Sequence, residues 1–142
     1  MHVNSINAII IDLGGVILDL DYQLTIDAFN KLGCVDFKTL YTQKQQIHLF
    51  DLFETGKVSA SKFRNQLQKQ MSISITDNEF DDAWNAMLLK LPIKRIEFLK
   101  RLKKNYPLFL LSNTNEIHIK AFQKIIASTI GYTTFKDCFK MV

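Results

Sequence analysis

The 142 residues are enough for one ordinary domain with a real core. With 47% hydrophobic and 23% charged residues, five glycines and two prolines, the composition excludes disordered, collagen-like and low-complexity classes. The net charge of +4 would suit a polyanion partner, but much of the excess falls within residues 90–104 and reads as the solvated face of one helix. The expected partners therefore include neither nucleic acid nor membrane. The longest apolar runs are strand-sized and too short to span a bilayer, and no secretory signal is visible at the N-terminus. Cys34 and Cys138 show no metal or disulfide spacing, so free thiols in a cytoplasmic protein are expected.

Residues 7–12 (NAIIID) are an apolar run closed by an acid and followed by Gly14 and Gly15, which predicts a buried strand and then a sharp break. A short hairpin or irregular flap is expected over residues 16–21. A helix follows over about residues 22–32, with Leu24, Ala28, Phe29 and Leu32 on one side and Gly33 as its stop. Asp36 is a good N-cap for a second helix, with Val35 and Leu40 spaced as a hydrophobic staple, running through Tyr41, Ile47 and Phe50 to Gly56. A third starts near Ser59, where Val58 and Phe63 have staple spacing. The fourth carries a capping box at Thr76 and Glu79, a staple of Ile75 with Phe80, and an apolar stripe of Phe80, Ala83, Trp84, Met87, Leu88 and Leu91. Four consecutive amphipathic helices with short connections predict a helical bundle.

Beyond them, Ile93, Ile96, Leu99 and Leu102 mark the basic amphipathic helix. A second buried strand is expected over residues 108–111, ending in Ser112, Asn113, Thr114 and Asn115. Another helix carries Ile117, Ala121, Phe122 and Ile125 up to Gly131, and a short segment follows through Phe135 and Phe139. Strands separated by helices imply a parallel sheet, whose ligands bind at the carboxyl ends of the strands. The expected division is a Rossmann-like core of residues 1–20 and 91–142, with a helical cap of residues 21–90 inserted.

At that carboxyl end, Asp12 followed by two glycines offers a carboxylate that could act as nucleophile or cation ligand. The glycines permit close approach of an anion to backbone N–H groups. Asp12 could equally just cap a turn. Ser112 and Asn113 place a hydroxyl and an amide at the end of the second strand, although Ser and Asn also favour helix starts, and Asn115 could cap the next helix. His48 reads as a surface or packing residue. His118 could approach the strand ends but is expected to face solvent.

The segment Ile9-Ile10-Ile11-Asp12-Leu13-Gly14-Gly15-Val16 resembles the first motif of the haloacid dehalogenase superfamily, and Leu110-Leu111-Ser112-Asn113-Thr114-Asn115 resembles its second. Phe53-Glu54-Thr55-Gly56-Lys57-Val58-Ser59 and Trp84-Asn85-Ala86-Met87 are similar to the helical cap of the sugar-phosphate phosphatase branch. The resemblance implies Mg²⁺-dependent hydrolysis of a small phosphorylated metabolite. Asp12 would form an aspartyl-phosphate, and Ser112, Asn113 and N–H groups near Leu13 and Gly14 would bind the phosphoryl oxygens. Mg²⁺ would be held by the Asp12 carboxylate and the Gly14 carbonyl.

Two departures stand against this pattern. Many members carry a second acid two residues after the nucleophile, where this chain has Gly14. Asp19 and Asp21 are the nearest substitutes, but flap and N-cap roles account for both. The third-motif lysine and fourth-motif acid pair are expected beyond Phe139, and the chain ends at Val142. The 142 residues alone are therefore expected to be inactive, with an open sheet edge that calls for self-association or a further C-terminal segment. A 2-haloacid dehalogenase-type hydrolase and a non-catalytic fragment acting by association are the alternatives. An aspartate nucleophile without the second acid favours the former, and a chain that stops before the later motifs favours the latter.

Overall fold

A computed structural model describes residues 6–41 and 43–140, with the side chains of residues 43–47 outside the description. In chain order the elements are β1 (Ile9–Ile11), α1 (Tyr22–Lys31), α2 (Phe37–Leu40), α3 (Gln43–Glu54), α4 (Ala60–Met71), α5 (Asp77–Asn85), α6 (Ile93–Leu102), β2 (Leu108–Leu110), α7 (Glu116–Thr129) and α8 (Tyr132–Lys136). This is an α/β fold with a small parallel sheet flanked by helices. It divides into two compact units. One gathers residues 6–20, Leu89–Ser112 and 122–140; the other gathers Asp21–Leu88 and Asn113–Ala121. Among the described residues no helix is long and apolar enough to cross a membrane.

The first unit holds the sheet. β1 and β2 run parallel, Ile9 opposite Leu108 and Ile11 opposite Leu110. The Ile9 N–H donates to the Pro107 carbonyl and the Leu111 N–H to the Ile11 carbonyl, each at 3.0 Å. Alternation turns the Leu108 carbonyl to the far side of β2, where it accepts the Lys140 N–H at 2.7 Å. Residues 141–142, where a third strand is expected to begin, lie outside the described residues. Among those described, no strand pairs with the outer edge of β1. Burial differs from expectation: Ile10 is 67% exposed and Leu111 is 68% exposed, so the strands are covered on one side rather than two. Ile96, Leu99, Leu108, Ile126 and Phe135 form the buried side.

The second unit is built on aromatic packing. Phe63 is fully buried and meets Phe53 in a stacked pair at 4.2 Å, with Phe50, Phe80 and Trp84 edge-on at 5.1–5.9 Å. Each such pair contributes about 0.5–1.5 kcal/mol beyond its area burial. The Thr76–Glu79 capping box forms in full: the Glu79 N–H donates to Thr76 Oγ1 and the Thr76 N–H to Glu79 Oε2. The Thr76 N–H and the Thr76 hydroxyl, both donating to Glu79 Oε2, hold the Glu79 carboxyl below its ordinary range. Ser59 caps α4 and Asp36 caps α2.

Several expectations fail here. The helix expected to run from Asp36 to Gly56 divides into α2 and α3, so residues 21–88 hold five helices among the described residues, not four. Tyr41 ends α2 with its ring packed against Phe37, Phe50 and Trp84, and that packing overrides the local periodicity. The Ile47 side chain, read as part of that stripe, lies outside the described residues. Val35 is 97% exposed and staples nothing. The buried side of α1 is Thr25, Ile26 and Phe29, and Leu24 turns toward solvent.

Helix α5 stops at Asn85, six residues short of Leu91, yet Met87 and Leu91 remain buried. The stop has a specific cause. Thr25, fully buried on α1, donates its hydroxyl to the Trp84 carbonyl and accepts the Met87 N–H, both at 3.1 Å. A side chain from another helix thus takes over the groups that would have continued α5. Beside it, His118 at the start of α7 stacks flat on Trp84, 5.3 Å between centroids and 5° between planes, with Nδ1 at 2.8 Å from Asn85 Oδ1. His118 was expected to face solvent; instead burial pulls its pKa down to about 4, and the ring is neutral near pH 7.

Two outcomes follow from this packing. Thr25→Val keeps the shape but strips the Met87 N–H of its acceptor, so urea denaturation is expected to show a loss of about 1–3 kcal/mol, and Thr25→Ser much less. For His118, the folded pKa of about 4 lies below the ordinary 6.5. Between those values the unfolded chain binds the extra proton, so stability falls as pH drops from 6.5 toward 4. His118→Gln is expected to flatten that part of the stability–pH curve. An unchanged slope would mean that His118 is not buried neutral.

Candidate functional site

Parallel pairing sets the first unit's polar groups in place. Because Ile11 is in register with Leu110, the residues leaving the two strands at their carboxyl ends are Asp12 and, one step further, Leu111 and Ser112. Asp12 is exposed, and its Oδ1 accepts the Leu13 N–H at 2.7 Å. Ser112 is half-buried and Asn113 exposed. Asn113 opens the segment that groups with the second unit, so the described geometry brings together Asp12, Leu13, Gly14 and Ser112.

The segment after Asp12 is an irregular, tightly closed loop. The Leu13 carbonyl accepts the N–H groups of Ile17 and Leu18, both at 2.9 Å, and the Gly15 N–H donates to the Leu18 carbonyl at 2.8 Å. These bonds bridge Gly14 to Leu18 through the groups on either side of Gly14. The Gly14 N–H and C=O stay outside that ladder. The Leu13 N–H, expected to face an anion, donates to Asp12 Oδ1, and the Leu13 side chain is buried. The backbone favours glycine at one of the two positions. Gly15 has φ +72°, and a Cβ on Gly14 would come within 2.9 Å of Leu20 Cδ1. That atom is the far end of a flexible side chain, so a second acid at position 14 would need only a shift of Leu20.

Both nearby carboxylates have partners of their own. Asp21 caps α1, accepting the Gln23 N–H at 3.0 Å. Asp19 pairs with Arg95 Nη1 at 2.7 Å, and the same nitrogen donates to the Ile17 carbonyl at 3.2 Å. The sequence reading missed this partner by assigning Arg95 to a solvated basic face. A signal was available: a cation in the first turn of α6 opposes the helix dipole and needs a reason to be there. Lys103 likewise bonds the Asp137 carbonyl, and Phe98 stands exposed among the remaining charges. His48 is exposed. Asn115 is buried and caps α7, its Oδ1 accepting the His118 N–H at 3.0 Å.

As for a metal, the oxygen donors on offer are the Asp12 carboxylate and the Gly14 carbonyl. Among the described residues no group of three or more His, Cys, Asp or Glu side chains converges. Mg²⁺ takes hard oxygen ligands and is commonly held by one or two carboxylates together with substrate phosphate and water, so this small set fits it. It does not fit zinc, which asks for a closed set of nitrogen and sulfur ligands.

No family model matches the chain. Over 110 residues, 78% of its length, it is 36% identical to D-ribitol-5-phosphate phosphatase of Bacteroides thetaiotaomicron. It spans 53% of that protein, about half the length of the curated relative. Among solved structures, a HAD family enzyme from the same organism complexed with magnesium and inorganic phosphate is 32% identical with a TM-score of 0.76, over 84% of this chain and 59% of that one. The Asp12→Ala mutant of that enzyme, in the same complex, is 31% identical with a TM-score of 0.85, over 96% of this chain and 67% of that one. A HAD-like hydrolase from Porphyromonas gingivalis is 27% identical with a TM-score of 0.78, over 95% of this chain and 64% of that one. On this likeness in both sequence and fold, the chain belongs to the haloacid dehalogenase (HAD) superfamily.

Proposed function

We propose that this chain carries the nucleophile of a Mg²⁺-dependent phosphomonoester hydrolase acting on a small phosphorylated metabolite. The observation that carries the reading is the parallel register: Asp12 and Ser112 leave adjacent strands at the same end, beside a Gly14 whose N–H and C=O lie outside the loop's own bonds. The name of one relative, D-ribitol-5-phosphate phosphatase, supports a sugar- or polyol-phosphate as the substrate class. Buried, unpaired Cys34 and Cys138 support a cytoplasmic location. Residues 21–90 are read as the cap and residues 1–20 and 91–142 as the catalytic core.

In the proposed reaction an Asp12 carboxylate oxygen attacks phosphorus in line. The ester P–O bond breaks, and the leaving alkoxide takes a proton from solvent water, which the water of the second step gives back. Water then attacks phosphorus of the aspartyl-phosphate, which returns the carboxylate and releases phosphate. The Ser112 hydroxyl, the Asn113 amide and the Gly14 N–H hold phosphoryl oxygens, and the Leu13 N–H orients the nucleophile through Asp12 Oδ1. Mg²⁺, held by the Asp12 carboxylate and the Gly14 carbonyl, would supply charge that offsets repulsion between carboxylate and phosphate. The family's later lysine and acid pair are not among these residues.

The test uses the native protein with a generic aryl phosphate. Turnover is expected only with Mg²⁺ present, and Asp12→Asn is expected to lower kcat by at least about 10³-fold with the fold intact by circular dichroism. Retained activity in that variant, or metal-independent halide release from a 2-haloacid in place of phosphate release, would overturn the reading.

A further inference from the structure

The loop that follows Asp12 is closed by its own backbone, but closure alone does not fix where it sits. Its far end is fixed twice. The Asp19 N–H donates to the Lys90 carbonyl and the Leu89 N–H to the Asp19 carbonyl, both at 3.0 Å, which ties the main chain. The side-chain tie is Arg95: Nη1 meets Asp19 Oδ1 at 2.7 Å and the Ile17 carbonyl at 3.2 Å. Arg95 is the third residue of α6, a helix anchored by buried Ile96 and Leu99. Two cations, Lys94 and Arg95, sit in that first turn against the dipole preference. Lys94 is exposed, whereas Arg95 is half-buried and bonded. As an exposed ion pair alone it would matter little for stability. Its second bond, to a main-chain carbonyl within the loop, has a geometric consequence instead.

We propose that Arg95 is a positioning residue for the Asp12 loop. Its guanidinium bonds Ile17 and Asp19 at once and so holds the segment carrying Gly14 at a set distance from the first turn of α6. Ile17 is also the residue whose N–H closes on Leu13, so the tie passes through one turn of bonded backbone to the groups beside Asp12. Both acceptors are met by the single Nη1 nitrogen, so the tie depends on where the Arg side chain places that atom, a place the differently shaped Lys side chain reproduces only in part. This inference rests on the reading of Asp12 as nucleophile, because positioning has meaning only for a reaction at that loop.

The experiment compares Arg95→Met, Arg95→Lys, Asp19→Asn and the Arg95→Met/Asp19→Asn double variant in the native protein, with Lys94→Met as a surface control. Arg95→Met is expected to lower kcat for an aryl phosphate by about 10–100-fold, the scale of a small misplacement of reacting groups. It should raise the Mg²⁺ concentration needed for half-maximal rate and leave KM and Tm near the wild-type values. Arg95→Lys should recover only part of kcat, and the double variant should be no worse than Arg95→Met. Hydrogen exchange at the Ile17 and Leu18 amides should quicken in Arg95→Met and not in Lys94→Met. If the wild type turns over with Mg²⁺ and Arg95→Met matches it in kcat, the positioning role is wrong while the nucleophile reading stands. A kcat loss that merely follows a fall in Tm, with loop exchange unchanged, also overturns the role. If the wild type itself shows no Mg²⁺-dependent turnover, the nucleophile reading fails and this inference falls with it.

Discussion

Everything proposed for this chain depends on the parallel register of two three-residue strands. Side chains alternate along a strand, so a slip of one residue would send Asp12 to the other face. The register is defined by Ile9 against Leu108 and Ile11 against Leu110, and the bond from Leu111 to Ile11 extends it to the strand ends. Three residues are few to hold a register, and the neighbouring bonds supply what the strands lack. Lys140 takes the far side of β2, and the Leu13 turn closes immediately beyond β1. Exposed Ile10 and Leu111 show that hydrophobic cover is present on one side only. Backbone pairing and loop closure therefore carry more of the positioning here than burial does.

The helical unit is held together differently. Its core is a contiguous set of rings and aliphatic side chains centred on Phe63 and Trp84. Polar groups enter it only where they are satisfied, as Thr25 is by the end of α5. Trp84 Nε1 is the exception, buried without a hydrogen-bond partner among the described residues. Its ring is nonetheless contacted by aromatic neighbours on several sides, including the neutral His118. Such a core tolerates loss of one surface cap far better than loss of one central ring.

How much of this could be read from sequence depended on the range of the forces involved. Caps are local, and Asp36, Ser59, Thr76 and Asn115 were all legible as N-caps because their partners lie within three residues. Both strands, the glycine break and the polar strand ends were legible for the same reason. Elements decided by distant partners were not. The end of α5 is set by Thr25, about sixty residues away in sequence, and an apolar stripe continuing through Leu91 reported burial rather than helix. Val35 had staple spacing but no neighbour to meet. Arg95 was lost among like charges, because its partners Asp19 and Ile17 are almost eighty residues earlier and only the fold brings them close. Gly14 was legible as a missing acid, but its closeness to Leu20 was not.

The proposed function makes one central chemical claim, that phosphorus is transferred to Asp12 before it reaches water. The most direct test is an acid-quenched single turnover of the native protein with a radiolabelled phosphate ester, followed by digestion and peptide mapping. The account predicts a transient, hydroxylamine-labile label on the peptide containing Asp12, formed and lost at rates compatible with turnover. Turnover without protein-bound label, or label carried on any other residue, would contradict it.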